Sequence, residues 1–400
     1  MTTPAEPAPG ALDRPAPIPG PVVDHLLLEV GSWLETPPAG AGADVGRRDE
    51  ASRAALRRVI AAHGLGPYLA SAPGLEGLRG NLPAGESDWL EAQLAANRQR
   101  LGRLHEDLAA VLAELARAGV RTMPLKGAIV TTRAGATPER RPMADLDLLV
   151  APADRAPATA ALVRRGYLLW PHPHRRPTHD VFEHAGDGGL VRSYDGEHPD
   201  NPRRIELHTE VRRHLWTWVD DDDLTAYLWS SSRDGSLLGQ PAALPSDEAL
   251  LAHLAIHATC DLLLGRGRLI QWLDVAAIAA ALPGGLGGLP NPRLAYPALR
   301  LAARRLPLLM AGVDLVPLGA LVPPDLRRWT ATVPLDRAAG LQSGRFLPTD
   351  AATFGARWRR WAPYRWRLRV AHGDAPLPVA TARHLGRLVA TASRRGGAGS

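Results

Sequence analysis

The apolar residues of this chain change period at Gly119, and no single class of secondary structure accommodates both sides of that change. From Ser87 to Ala118, the residues Leu90, Leu94, Leu101, Leu104, Leu108, Val111, Leu112 and Leu115 recur at about 3.6-residue spacing, which lays a stripe along one helix face. Beyond Gly119, a helix-ending residue, Asp145-Leu146-Asp147-Leu148-Leu149-Val150 alternates as a strand does. A chain carrying both signals folds as helices packed on a sheet.

The rest of the sequence divides around that point. Residues 1–21 are a Pro/Ala tract too poor in apolar surface to order itself. Helical spacing from Val22 to Leu34, Ala51 to His63 and Ser87 to Ala118 makes residues 22–118 an N-terminal helical lobe. Strands are expected at Val120 to Leu125, Asp145 to Val150, Tyr167 to Trp170, Val181 to His184 and Arg204 to His208. With helices from Ala128 to Arg133 and Ala153 to Arg165 between them, residues 119–230 read as an α/β core with a small mixed sheet. Residues 245–400 return to helix, at Ser246 onward, Leu269 to Leu282, 292–312 and 379–393, and carry a basic Arg/Trp tail. The fold class is therefore an α/β core flanked by N- and C-terminal α-helical regions.

Composition removes several alternatives. With 22% charged and 45% apolar residues, the chain is neither collagen-like, nor coiled coil throughout, nor wholly disordered. Cys260 stands alone, which excludes a disulfide-framed secreted domain. The first residues lack the basic start and apolar core of a secretory signal, and no apolar stretch reaches the roughly 20 residues of a membrane span. A cytoplasmic location is expected.

Charge points to particular residues. Lysine occurs once, at Lys126, and the other 46 basic residues are arginine. Lysine is a compact point charge on a flexible stem, which the planar arginine fork does not replace. The net charge is +6, yet residues 351–400 hold ten arginines against one acid, Asp374, so the body is mildly acidic and the tail strongly basic.

Asp145 and Asp147 stand two apart on a strand and project from one face. Two like charges about 6–7 Å apart repel, and a divalent cation between them resolves the repulsion. An exposed edge strand would also tolerate them, but Leu146, Leu148, Leu149 and Val150 mark a buried element. Oxygen ligands of this kind suit Mg²⁺. Glu206, in Arg204-Ile205-Glu206-Leu207-His208, supplies a third acid, and three acids on neighbouring strands can hold two ions for an in-line displacement. Lys126-Gly127 falls at a strand-to-helix turn, where glycine permits close approach and a helix start favours phosphate.

Leu125-Lys126-Gly127-Ala128, Arg141-Pro142-Met143-Ala144-Asp145-Leu146-Asp147-Leu148-Leu149-Val150 and Ile205-Glu206-Leu207-His208 together resemble the uncharacterised nucleotidyltransferase family of the polymerase-β-like superfamily. The resemblance extends over roughly residues 25–330. It implies a polymerase-β-like core and Mg²⁺-dependent transfer of a nucleoside monophosphate from a nucleoside triphosphate, with release of pyrophosphate. It assigns metal binding and catalysis to Asp145, Asp147 and Glu206, with two Mg²⁺ ions, and binding of the triphosphate's phosphates to Lys126, Gly127 and Arg141. The turn departs from the superfamily's commoner Gly-Ser, since Ala128 offers no hydroxyl. The lysine-glycine form is also similar to abortive-infection toxin nucleotidyltransferases, whose arginine ahead of the acid pair corresponds to Arg141. The acceptor is open between small molecule, protein and RNA. A tRNA-modifying toxin and a catalytically silent nucleotide-binding or partner-binding protein stand as alternatives.

Other residues carry weaker signals. His208 shares the face of Glu206 and is counted with the triphosphate-binding residues, with simple packing as the alternative. His172, His174, His179 and His184 lie in a segment read as a loop bordering the site, a zinc site being the lesser reading. His253 and His257 are read as packed core histidines, the Asp220 to Asp223 run as a helix cap, and Ser246 as another cap. The run Arg357-Trp358-Arg359-Arg360-Trp361 and Arg365-Trp366-Arg367-Leu368-Arg369 reads either as a helix packed through its indoles or as a contact for nucleic acid or a membrane surface.

Overall fold

The computed structural model describes residues 20–133, 136–170, 179–189, 198–212, 223–263, 267–282, 285–333, 368, 372–373 and 375–396. The expectations for residues 1–19, His172, His174, Asp220 to Asp222 and the arginines and tryptophans between Arg357 and Arg369 fall outside them.

Helices α1 (Gly20–Ser32), α2 (Ala41–Gly46), α3 (Glu50–Ala62), α4 (Gly66–Ser71), α5 (Glu76–Arg79) and α6 (Ala84–Arg117) come first. The start of α3 is set by Asp49, whose carboxylate accepts the Ser52 N–H. The leucine stripe of α6 is buried from Leu90 to Leu115, and Gly119 turns the chain out of the helix at φ +72°. There follow β1 (Thr122–Pro124), α7 (Lys126–Val130), β2 (Asp145–Val150), α8 (Arg155–Arg164), β3 (Tyr167–Leu169), β4 (His179–His184) and β5 (Arg204–His208). These five strands form a mixed sheet in the order β1-β2-β5-β4-β3; β2 and β5 are parallel, and the other pairs are antiparallel. Then come α9 (Thr225–Ser230), a hairpin of β6 (Arg233–Leu237) and β7 (Gln240–Leu244), and helices α10 (Asp247–Leu263), α11 (Leu269–Ala280), α12 (Pro292–Arg305), α13 (Val316–Ala320), α14 (Pro324–Thr332) and α15 (Leu377–Gly396). Among the described residues no helix is long and apolar enough to cross a membrane.

Buried apolar residues from Leu26 to Val333 make one contiguous core. A charge is sunk into it: Arg100 of α6 is fully buried and donates to the carbonyls of Ala144 (2.8 Å), Pro202 (3.0 Å) and Asn201. Ala144 immediately precedes β2, and Pro202 lies just ahead of β5. One guanidinium therefore ties together the entries of the two parallel strands.

Three local readings need correction. α7 starts at Lys126, two residues before the expected helix, so Lys126-Gly127 is its first turn. β4 starts at His179 rather than Val181, because it stays paired with β5 as far as His208. The β6–β7 hairpin was not expected, since its two-residue loop is Leu238-Gly239, without the usual Asn or Asp. Both loop residues take positive φ, +50° and +75°, and Leu238 is 38% exposed with little packing to lose. A left-handed conformation costs a leucine more than an asparagine, so Leu238→Asn is expected to stabilise the protein by about 1 kcal/mol. A raised thermal midpoint would show it, and an unchanged or lowered one would contradict this account of the turn.

Candidate active site

Strand register assembles the polar face of the sheet. Asp147 stands opposite Glu206 and Asp145 opposite Arg204 across the β2–β5 pair, while β4 sets His179 opposite His208. Alternation then puts Asp145, Asp147, Glu206, His208 and His179 on one face, while Leu146, Leu148, Ile205, Leu207 and Phe182 fill the buried face.

The side chains converge. Lys126 Nζ forms an ion pair with Asp147 Oδ1 and lies 3.9 Å from Glu206 Oε2. His208 Nε2 is 3.0 Å from the same Asp147 oxygen and 3.5 Å from Glu206 Oε2; His179 Nε2 is 3.4 Å from Glu206 Oε1. The chain's one lysine thus sits among the acids rather than apart from them. Its backbone has φ +45°, an uncommon conformation for any residue but glycine or asparagine, and one that often accompanies a functional position.

The acids are electrostatically unequal. Withdrawal from water, then the charges of Asp147 and Glu206, push the Asp145 carboxyl up to about 7, against the opposing pull of Lys126 and Arg141. Burial would raise Asp147 as well, but the Lys126 ammonium and the His208 hydrogen bond outweigh it and hold that carboxyl well below the usual range. Burial lowers His179, partly offset by Glu206. His208 is raised despite its burial, because its hydrogen bond to Asp147 and the neighbouring Glu206 carboxylate favour the charged form.

Arg141, expected at the phosphates, is held across the cleft by Asp274 of α11, its Nε 2.8 Å from Oδ2 and 3.1 Å from Oδ1. Gly127 lies directly beneath it. A Cβ on Gly127 would come within 2.6 Å of Arg141 Nη1 and 2.8 Å of Met143 Sδ, so the glycine makes room for its own chain. Since Asp274 restrains Arg141, Gly127→Ala is expected to destabilise by about 1–3 kcal/mol and to reduce activity. Thermal unfolding checks the first effect; a melt superimposable on the wild type would contradict the contact.

A cleft of about 360 Å³ opens over these groups, within the range of small-molecule sites. It is also lined by His253 and His257 of α10, by Gln271 of α11 and by Arg268, which caps the start of α11. Both histidines, read from sequence as packed core residues, line the cleft; His253 is buried, as that reading expects, and His257 is half-buried. Ser246 does act as a cap, accepting the N–H of Ala249 at 3.2 Å; Asp223 stands one residue ahead of the N-cap position, Leu224, and accepts the N–H of Thr225 at 2.9 Å. Sequence reasoning did not single out His179 or Asp274 as site residues. For Asp274 a signal existed, a lone acid in the apolar helix Leu269–Ala280.

A family described as uncharacterised nucleotidyltransferase matches residues 49–285, more than half of the chain. Among solved structures, the chain is similar to an antigenic nucleotidyltransferase-like protein from Paracoccidioides brasiliensis, with 16% identity and a TM-score of 0.34 over 52% of this chain and 90% of that one. No curated protein matches.

Proposed function

Because this chain belongs to the uncharacterised nucleotidyltransferase family, we propose that it transfers a nucleoside monophosphate from a nucleoside triphosphate to an acceptor, releasing pyrophosphate. The observation that carries the reading is the cross-strand register of Asp147 with Glu206, with Asp145 on the same face. We read the sheet as polymerase-β-like on the same ground: β1 runs into the Lys126-Gly127 helix start, and the acid pair and third acid occupy adjacent strands.

The residues fit a divalent cation. Asp147 and Glu206 direct hard oxygens at a space where one cationic group, Lys126 Nζ, already lies. Asp145, Asp147 and Glu206 would hold Mg²⁺, two ions being the expected complement, whose chemistry is Lewis-acid neutralisation of phosphoryl charge. The chain's own residues do the rest. Lys126, a point charge on a flexible stem, binds the β and γ phosphates, and Arg141, steadied by Asp274, adds a second cation. His208 fixes the Asp147 carboxylate. Glu206 accepts the proton of the acceptor hydroxyl as its oxygen bonds to the α-phosphorus and the bond to pyrophosphate breaks.

The test is incubation with each α-labelled triphosphate and with RNA, protein and metabolite pools. Label in one pool, with pyrophosphate released, supports the reading and identifies the acceptor class. Label in tRNA would favour the toxin-type alternative. Triphosphate binding without pyrophosphate from any pool would overturn transfer in favour of a silent binder.

Asp145 also predicts a pH dependence. Its carboxyl is raised from 3.8 to about 7, so in metal-free protein its contribution to stability is fully present below the unfolded value and is lost as pH rises through the folded one. Divalent ions bind the ionised form, so their affinity is expected to rise over the same window, by up to about tenfold per pH unit, and to level off above it. Thermal midpoints against pH, with chelator and with Mg²⁺, should diverge as pH rises; parallel curves would contradict the assignment of Asp145.

A further inference from the structure

Glu206 stands between two imidazoles, an arrangement that an oxygen-ligated magnesium site does not call for. Its Oε1 lies 3.4 Å from His179 Nε2, its Oε2 lies 3.5 Å from His208 Nε2, and His208 Nε2 is 3.0 Å from Asp147 Oδ1. His179, Glu206 and His208 each offer a donor atom within 4.8 Å of the other two. The antiparallel register of β4 and β5 produces this closeness, setting the two rings opposite one another with centroids 4.7 Å apart.

The contacts to Glu206 are longer than the about 2.7–2.9 Å of a charge-assisted hydrogen bond. At 3.4 and 3.5 Å they are close to the separation of donors that share one ion. Donors bound at about 2.1 Å to one first-row ion stand about 3.0 Å apart in octahedral and about 3.4 Å apart in tetrahedral geometry. Imidazole nitrogen suits zinc and its neighbours, whereas Mg²⁺ prefers oxygen alone. We propose that His179, Glu206 and His208, with Asp147 beside them, form a binding site for a borderline first-row divalent ion of the zinc type. The inference deepens the proposed nucleotidyl transfer and rests on it for the ion's use, though not for its binding. Such an ion would take over Asp147 Oδ1 from the Lys126 ammonium and free that lysine for phosphate.

The metal-free full chain is titrated with Co²⁺, followed by visible absorption, and then with Zn²⁺ in a large excess of Mg²⁺. The wild type is expected to develop cobalt bands that Zn²⁺ bleaches and Mg²⁺ does not. His179→Gln and His208→Gln should each weaken Co²⁺ and Zn²⁺ binding by about tenfold or more, while His198→Gln, outside the cleft, binds as the wild type. X-ray absorption of the zinc-loaded wild type needs no variant and should show two imidazoles on the metal. Fewer than two, displacement of Zn²⁺ by Mg²⁺, or wild-type affinity in both cleft variants would overturn the proposal. Zinc bound through both histidines without transfer to any pool would sink the transfer reading and leave this site standing; transfer with Mg²⁺ and no histidine-bound zinc would do the reverse.

Discussion

Asp147→Asn is expected to reduce nucleotide labelling from a radiolabelled triphosphate by on the order of 10³-fold or more. Phosphoryl transfer depends on positioning and preorganised charge, and loss of even one such donor costs about 10²–10³ in rate. Asp147 is the most deeply set of the three acids, 2% exposed, and one of its oxygens serves both Lys126 and His208. Asparagine keeps the shape and removes the charge that the Lys126 ammonium and the His208 imidazole face. Its effect on stability should be smaller than for a sealed ion pair, because the Lys126 side chain is 18% exposed and can turn to water. The variant should therefore stay folded while labelling disappears. Undiminished labelling by the folded variant would remove Asp147 from the reaction.

The acids were legible because each sits on a short strand with apolar neighbours on the other face. β2 and β5 occupy the residues that alternation alone assigns them, Asp145–Val150 and Arg204–His208. Their parallel register is another matter: nothing local in either strand states that Asp147 meets Glu206. His179 was obscured by the prolines and histidines before it, which read as loop, although pairing with β5 extends β4 to include it. Arg141 was legible as a cation near the acids, but its partner Asp274 lies 133 residues onward on another helix. Leu238 broke the usual turn chemistry, so its hairpin was missed. His253 and His257 have the spacing of a buried helix face, and nothing within α10 itself states that they line the cleft over the acids.

Arg100 is the residue whose importance the sequence hides most completely, and its replacement should have the largest effect on stability. Arg98, Arg100 and Arg103 look alike in the sequence, three cations on a long amphipathic helix. Yet Arg100 has no exposed surface, and its three carbonyl acceptors belong to the segments leading into β2 and β5. Arg100→Met keeps comparable bulk and leaves Ala144, Asn201 and Pro202 without this donor. Asn201 and Pro202 are buried, and each carbonyl orphaned there costs about 1–3 kcal/mol, whereas the carbonyl of the exposed Ala144 can turn to water; part of the loss is offset because a charge no longer has to be desolvated. A net loss of about 3–4 kcal/mol is expected, and a thermal midpoint lower by on the order of 10 °C. Arg100→Lys should fall between the two, since one ammonium retains the charge but not the fork that reaches several carbonyls. Below its melting point the Met variant should also lose turnover more than triphosphate affinity, because the strand entries it releases set the spacing of Asp147 and Glu206. A Met variant that melts with the wild type would show that α6 does not hold the two strands in register.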